Sequence, residues 1–460
     1  MSTSEPLVEV HEDRLARVRA LLEGRDDAGL SAFLSALHPS DVADLVEELE
    51  EEERVFVLHL LPAELGSETL AEMEAEERPE ELLVSLQPER ILELLHELSD
   101  DDAADLIGEL EPDEQARVLA LLPRVEASEL RRLLQYDEDS AGGIMTTELV
   151  AVSTELTAGE AISEVRRQAR ELGGEFYTIF VVDLLNRLAG TVRLQDLVLT
   201  DPATPLSELV EPPTARVTVD TDQEEVARII ARYNVPSIAV VGPREVLLGR
   251  ITWDDVMDVM EEEQTEDLLR LAGVADEEVR GGWGESVRSR LPWLTLNMLT
   301  AALAAGVVIL FDETIGAIVA LAAIMPVIAA LGGNAGTQAL AVTVRRLALG
   351  EESAARRWGV AGKELMVGLF NGLVLGLIAA AAAWGLGLSM AVDAPVMLGL
   401  VVLMAMWGNL VVASIAGAFV PILLESMGID PAVASSVFVT ALTDLFGFFL
   451  LLGLATALLL

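Results

Sequence analysis

Asp444 stands inside the apolar stretch Val439-Thr-Ala-Leu-Thr-Asp-Leu-Phe-Gly-Phe-Phe449, near the end of a 460-residue chain. A carboxylate at bilayer depth costs several kcal/mol unless a partner offsets it. The apolar stretches after residue 292 offer no Lys, Arg or His to pair with it. A passing cation is then the natural partner, and the residue reads as part of a carrier or channel for positive ions. The plainer alternative is a protonated Asp that hydrogen-bonds a neighbouring helix, because polar groups also hold membrane helices together. Asn334 and Gln338 are four apart, so they share one helix face and add oxygen donors without positive charge. Hard cations prefer oxygen ligands, and magnesium gives up its water reluctantly. One carboxylate per subunit holding a hydrated ion therefore suits magnesium. Oxygen-only ligands also admit manganese, cobalt or calcium.

These residues must be held by membrane helices. Five apolar spans of about 20 residues or more are expected. They run over about Trp293–Phe311, Ile315–Val344, Leu365–Gly387, Pro395–Leu424 and Ala432–Leu460. Arg280, Arg288 and Arg290 precede the first span, and Arg345, Arg346, Arg356, Arg357 and Lys363 lie between the second and third. The loops at Asp312-Glu313 and Ser389–Ala394 hold no base. The positive-inside rule then predicts a multi-pass protein of the cell membrane with a cytoplasmic N-terminus and an extracytoplasmic C-terminus. Pro326 and Gly332-Gly-Asn-Ala-Gly-Thr-Gln338 in the second span, and Gly408-Asn409, Gly417 and Pro421 in the fourth, suggest interrupted helices. Broken backbone in lipid must be buried in protein or line water; the glycines alone are equally explained by close helix packing. Five helices enclose little pore, so a symmetric dimer with the path on its axis is expected.

The preceding part differs in kind. The formal net charge is −46; nine acids and five bases from Pro292 onward give −4, which leaves −42 on the first 291 residues. Such a surface collects cations and excludes nucleic acid, which needs a basic face. The chain has no Cys, so it offers no disulfide, thiolate metal site or Cys nucleophile. The apolar half has no His either, and no His-Glu-x-x-His hydrolase motif.

Residues 1–136 are rich in Leu and Glu with helical periodicity. Asp41-Val-Ala-Asp-Leu-Val-Glu-Glu-Leu-Glu, continuing to Leu60-Leu-Pro62, recurs 61 residues later as Asp102-Ala-Ala-Asp-Leu-Ile-Gly-Glu-Leu-Glu, continuing to Leu121-Leu-Pro123. A superhelix of stacked helix pairs follows from such self-similarity. From residue 137 to 260, Val, Ile and Thr runs alternate with helical patterns. Tyr177–Val182 and Ser237–Val241 predict strands; Leu188–Leu197 and Leu248–Met257 predict a strand running into a helix, offset by 60 residues. This tandem α/β repeat, 137–200 and 201–260, is similar to a pair of CBS domains, a regulatory module that often binds adenine nucleotides. Asp196 and Asp254 at the helix starts have a plain structural reading, since acids favour that end of the dipole. A long amphipathic helix is expected next, within 253–280. Asp255, Asp258, Glu262 and Glu266 form one stripe, and Trp253, Val256, Met257, Met260, Leu268 and Leu271 lie roughly opposite. That acidic stripe is either a solvated face or a cation-bridged contact. Gly281-Gly-Trp-Gly284 reads as a joint before the membrane part, 292–460.

In this order the chain resembles the MgtE family of magnesium channels. The motifs are Ser140-Ala-Gly-Gly-Ile-Met-Thr146, Met325-Pro326 with Gly332–Gln338, and Thr443-Asp444. The resemblance covers about the whole length. It implies an acidic helical N domain, two CBS domains, a connecting plug helix and five spans, assembled as a homodimer. It implies that Asp444 of each subunit holds hydrated magnesium in a pore, with Thr443 beside it. It further implies regulatory magnesium at Asp101 and Asp105, at Asp222 and Glu224, and at Asp255, Asp258, Glu263, Glu266 and Asp267 of the plug helix, and ATP at the CBS pair. The chain departs from the pattern at Asn234, where an acid is expected. The function expected is magnesium uptake that cytoplasmic magnesium shuts off. The alternatives are transport of another divalent cation, or a membrane-anchored sensor that conducts nothing.

Overall fold

The computed structural model describes residues 7–172, 176, 178–272, 274, 283–348, 354–427 and 435–460. It divides into two compact units, residues 1–260 and 261–460.

The first unit opens with short helices: α1 (Leu7–Glu23), α2 (Asp27–Leu34), α3 (Pro39–Glu47), α4 (Glu51–Leu60), α5 (Ala63–Ala71), α6 (Pro79–Ser85), α7 (Pro88–Glu97), α8 (Asp100–Gly108), α9 (Pro112–Leu121) and α10 (Arg124–Leu133). The 61-residue repeat is structural: α3 and α4 start 61 residues before α8 and α9. Proline sets the starts, standing in the first turn of α3, α6, α7 and α9 and capping α5 and α10. Its missing N–H costs nothing there, because the first helical N–H groups have no partner anyway. The helices bury Leu and Val along one face each, as in Val42, Leu45 and Val46 of α3 and Leu106 and Ile107 of α8. Buried Arg90 of α7 donates to the Leu58 and Leu61 carbonyls, closing the end of α4.

The tandem repeat follows: β1 (Ala151–Ser153), α11 (Ala158–Leu172), β2 (Ile179–Val182), β3 (Leu188–Val192) and α12 (Leu194–Leu199), then β4 (Arg216–Thr218), α13 (Gln223–Tyr233), β5 (Ser237–Val241), β6 (Leu247–Thr252) and α14 (Trp253–Leu271). Each sheet has the same order, one parallel and one antiparallel pairing, with Val181 opposite Gly190 and Val240 opposite Gly249. The central strands are buried throughout, β2 wholly apolar and β5 apolar after Ser237, as strands covered on both faces require. Tyr177, the first residue of one expected strand, lies outside the described residues.

The leader Ser140–Thr146 does not join the first sheet. Thr146 exchanges backbone hydrogen bonds with Arg250 of β6, and the Ala141 N–H donates to the Thr221 carbonyl. In turn Thr191 of β3 exchanges bonds with Glu211, from the segment leading to β4. Each repeat is thus completed by chain that precedes the other. Asn234 ends α13 with φ 50°, a left-handed position that Asn tolerates better than most residues. The helix cap accounts for the residue type at this departure from the family pattern.

The second unit contains the C-terminal part of α14, then α15 (Trp283–Leu310), α16 (Asp312–Ala317), α17 (Ala320–Ala348), α18 (Ala354–Ser389), α19 (Pro395–Ser426) and α20 (Ser435–Leu459). Five of these are long and apolar enough to cross a membrane: Ser286–Leu310, Ala320–Leu347, Ala361–Ser389, Pro395–Leu424 and Ser436–Leu459. α18 packs along α19, α19 against α17 and α20, and α15 against α20. Large exposed side chains such as Leu299, Phe370 and Leu377 cover the outside, as a lipid-facing surface demands.

Three expectations change here. The spans with glycines and prolines are not interrupted: α17 runs through Pro326 and Gly332–Gln338, and α19 through Gly408, Gly417 and Pro421. The glycines serve close approach instead. A Cβ on Gly417 would stand 2.4 Å from the Gly336 carbonyl oxygen, and one on Gly332 2.3 Å from Asn409 Nδ2. The third span starts earlier than expected, so Lys363 and Glu364 belong to it. Finally, Trp283 and Gly284 already lie in α15, whereas Gly281 and Gly282 of the expected joint are outside the described residues.

Candidate cation sites

The acids of the first unit gather where α8 meets the start of α14 and the leader of the first repeat. Ser99 caps α8, its Oγ accepting from the Asp102 N–H and donating to Asp102 Oδ2 at 2.7 Å. That cap fixes Asp100, Asp101 and Asp102 in the first helical turn, where acids suit the dipole. Asp100 accepts a hydrogen bond from Thr147 Oγ1. At the start of α14, Asp255 accepts from both the N–H and the hydroxyl of Thr252. The two helix starts converge, each held by its own cap.

The electrostatics of this convergence are unfavourable to charge. Asp101 is buried, and burial, then repulsion from Asp102 and Asp255, pushes its carboxyl up to about 8. Desolvation by the surrounding protein, then repulsion from Asp102, Asp255, Glu109 and Glu138, pushes Asp105 up to about 7. The Asp105 side chain keeps contact with solvent while these carboxylates crowd it. Burial raises Asp102 and Asp255 too, with Thr252 and Arg250 opposing the rise at Asp255. Glu148 is raised by burial and by Asp100. Asp101 Oδ1 is buried with no hydrogen-bond partner. An unsatisfied carboxylate oxygen among other carboxylates fits a cation. Among the described residues no three acids converge closely enough to hold a bare ion, so the cluster suits hydrated ions bridging pairs.

Of the regulatory candidates, the structure brings Asp101, Asp105 and Asp255 together. Asp102 and Glu148 belong to the same cluster and escaped the sequence reading. Asp102 was visible as the third acid of Asp100-Asp101-Asp102; Glu148 was not, because its place depends on the exchanged leader. Asp222 caps α13, accepting from the Glu224 N–H at 2.9 Å, and its plain role is that cap. Asp258 is exposed on α14, and Glu266 is ion-paired with Arg270 one turn on. Glu263 is half-buried on the same helix. The Asp267 side chain lies outside the described residues. The expected apolar seam of α14 is also different: Val256 and Val259 are buried, while Trp253, Met257, Met260 and Leu268 are exposed.

In the second unit Asp444 is half-buried on α20, and among the described residues it has neither hydrogen-bond nor ion-pair partner. Among the described residues, none supplies the helix–helix hydrogen bond of the plainer alternative. Thr443 beside it is fully buried, its Oγ1 donating to the Thr440 carbonyl at 2.9 Å. Thr443 packs among the helices of its own chain. Asn334 and Gln338 are both exposed on α17, with no hydrogen bond to Asp444. Asn409, which the sequence showed only as a polar residue in the fourth span, is fully buried. It ties α19 to α17 by donating to the Ile328 carbonyl at 3.1 Å.

Comparison with known proteins is consistent along the chain. The family profile MgtE, described as a divalent cation transporter, matches residues 325–454. The MgtE intracellular N domain matches 37–139, and CBS domains match 141–201 and 206–262. The magnesium transporter MgtE of Thermus thermophilus is 36% identical over 456 residues, covering 97% of this chain and 99% of its own length. Its namesake from Bacillus subtilis is 28% identical over 452 residues, covering 97% and 98%. Among solved structures, the cytosolic domain of the Mg2+ channel MgtE in complex with ATP is 38% identical. It has a TM-score of 0.51 and covers 53% of this chain and 99% of its own. The soluble part of a magnesium transporter, 29% identical, also has a TM-score of 0.51, covering 55% and 99%.

Proposed function

This chain belongs to the MgtE family of divalent cation transporters, and from that premise we infer how its own residues carry and regulate an ion. It is a multi-pass membrane protein that transports magnesium. Asp444 is the group that meets the ion. The observation that carries this reading is a carboxylate in a membrane-spanning helix without a protein partner among the described residues. Such a group is tolerated where it faces water and a cation. One carboxylate attracts a hydrated ion without stripping its water, which magnesium resists. Asn334 and Gln338, both accessible, offer further oxygens to that water.

The working unit is a homodimer with the path between two copies of α20. The exposed apolar side chains Trp253, Met257 and Leu268 on α14 support a second copy, because the described residues leave them open. The N-terminus lies in the cytoplasm; Arg345, Arg346 and Lys363 on one side, against Asp312 and Glu313 on the other, support that orientation.

Regulation follows from the acid cluster. At low magnesium the ionised carboxylates among Asp101, Asp102, Asp105 and Asp255 repel, and this crowding holds protons on Asp101 and Asp105. Two charges about 5 Å apart at an effective dielectric near 20 repel by about 3 kcal/mol. Magnesium bridging these acids fixes the start of α14 against α8. The same helix ends at Leu271, which packs on Leu340 and Val344 of α17. Fixing α14 thereby holds a membrane helix in its closed position. Moving a gate from mostly open to mostly closed needs roughly 5 kcal/mol, which several weak sites acting together supply. ATP at the CBS pair is a further modulator, supported by the ATP-bound relative.

Purified protein in liposomes tests the reading. Magnesium flux that falls as magnesium rises on the cytoplasmic side is expected. Absent flux leaves a sensor without a conduction path.

A further inference from the structure

The positive charge of the membrane unit is gathered in one place. Residues 345–363, from the end of α17 into the start of α18, hold five bases (Arg345, Arg346, Arg356, Arg357 and Lys363) and two acids (Glu351 and Glu352), a net of +3 in a chain of −46. The turn between α19 and α20 opens on the same membrane side, because spans alternate, yet its charges are Glu425 and Asp430 and it has no base. The positive-inside rule counts bases over all such loops and does not ask for this concentration. Ion pairing sets the cluster apart as well. Arg54, Arg78, Arg117 and Arg193 of the first unit each pair with a carboxylate. Among the described residues, Arg345, Arg346 and Lys363 have no carboxylate partner.

An apolar cleft adjoins these cations. α18 packs along α19, and a cavity of about 240 Å3 remains between α17, α18 and α19. Val342 of α17 and Val367 of α18 line it, each 38% exposed. Arg345 and Arg346 follow Val342 by three and four residues, and Lys363 precedes Val367 by four. Each cation therefore stands one turn from a cleft valine on the same helix face. On both helices the cation is nearer the end of the span and the valine deeper. Headgroup and tail of an anionic phospholipid follow the same order, and basic pockets between membrane helices bind such headgroups. The one acid on the cavity wall, Glu364, is buried, whereas Lys363 is exposed.

We propose that this cleft seats an anionic phospholipid, its phosphate held by Arg345, Arg346 and Lys363 and one acyl chain lying along Val342 and Val367. An acidic stretch of the chain itself would neutralise the cations but leave the valines open; a lipid covers both. The lipid joins α17 to α18 and steadies the end of α17 on which Leu271 packs. The site stands whatever role Asp444 has.

The test uses the full-length protein, delipidated in a neutral detergent. Native mass spectrometry counts the lipid retained, and thermal unfolding reads its effect. Phosphatidylglycerol should be retained and should raise the melting temperature; phosphatidylcholine and inorganic phosphate at the same concentration should do neither. Each cation lost should weaken binding about fivefold, so Arg345→Gln raises the half-saturating phosphatidylglycerol concentration about fivefold and the triple change with Arg346→Gln and Lys363→Gln about 100-fold. Lys363→Arg should keep the parent's affinity. Val367→Phe fills the cleft and should weaken binding with every charge in place. Without lipid, all these variants should melt with the parent. Equal retention of phosphatidylglycerol and phosphatidylcholine overturns the proposal, as does parental binding by the triple variant or by Val367→Phe. Stabilisation by inorganic phosphate equal to that by phosphatidylglycerol would make this a free-anion site. A triple variant that melts lower without lipid would assign the cations to acids of the chain itself. Either result also overturns the lipid.

Discussion

Leu271, the last residue of α14, packs against Leu340 of α17. The helix whose first turn holds Asp255 of the acid cluster therefore ends on the membrane helix that carries Asn334 and Gln338. An apolar contact of this kind is weak enough to break and reform, as a gate requires. Leu271→Ala removes part of it, at a cost of about 1 kcal/mol. We expect residual flux at magnesium concentrations that silence the parent, with little change at low magnesium. Identical shut-off curves in liposomes would separate this contact from gating.

Asp444→Asn keeps shape and removes charge. Transport should fall by at least about 100-fold, while expression and elution volume stay as in the parent. Growth rescue of magnesium-starved cells by this variant would sink the pore assignment.

The acid cluster fixes a pH dependence. Asp101 and Asp105, raised to about 8 and about 7 from an ordinary 3.8, keep protons in the folded chain that the unfolded chain has already released. More protons on the folded side mean that stability falls as pH rises between about 4 and 8. In chelator, the first thermal transition of the full chain should move down between pH 6 and pH 9. Magnesium should restore it more at pH 8 than at pH 6, and binding near pH 7 should release protons. A flat profile in chelator would remove this reading.

Asp101→Asn separates charge from shape at the same site. At pH 9, above the raised value of Asp101, removing this buried charge should stabilise the magnesium-free protein by about 2 kcal/mol. It should also reduce the protection against proteolysis that magnesium gives residues 1–260. Unaltered protection would move the regulatory ion elsewhere.

Gly332→Ala tests the packing of the membrane unit. Its Cβ would stand 2.3 Å from Asn409 Nδ2 and 3.3 Å from the Thr443 Cβ. Overpacking of this kind costs about 1–3 kcal/mol. A lowered melting temperature in detergent is expected, and an unchanged one would show that α17 and α19 separate without cost.

Much of this protein was legible in its residues. The 61-residue repeat, the tandem α/β unit and the five spans follow from local periodicity, proline punctuation and apolar length, which neighbouring residues impose on each other. Asp444 was legible because lipid makes any lone acid conspicuous. What the order of residues could not decide depends on contacts across long separations. The leader that places Glu148 beside the acids of α8 completes the second repeat's sheet, although it precedes the first. Glycine and proline in α17 look like a break, but the facing surfaces of α19 and α20 make them packing positions in a continuous helix. Thr443 and Glu364 are polar residues in apolar surroundings by sequence alone. Only the neighbouring helices decided that one is sealed by its own backbone bond and the other is buried with no partner among the described residues. Burial is a property of the assembled helices, so the cost of a polar group, and hence its role, is settled in three dimensions.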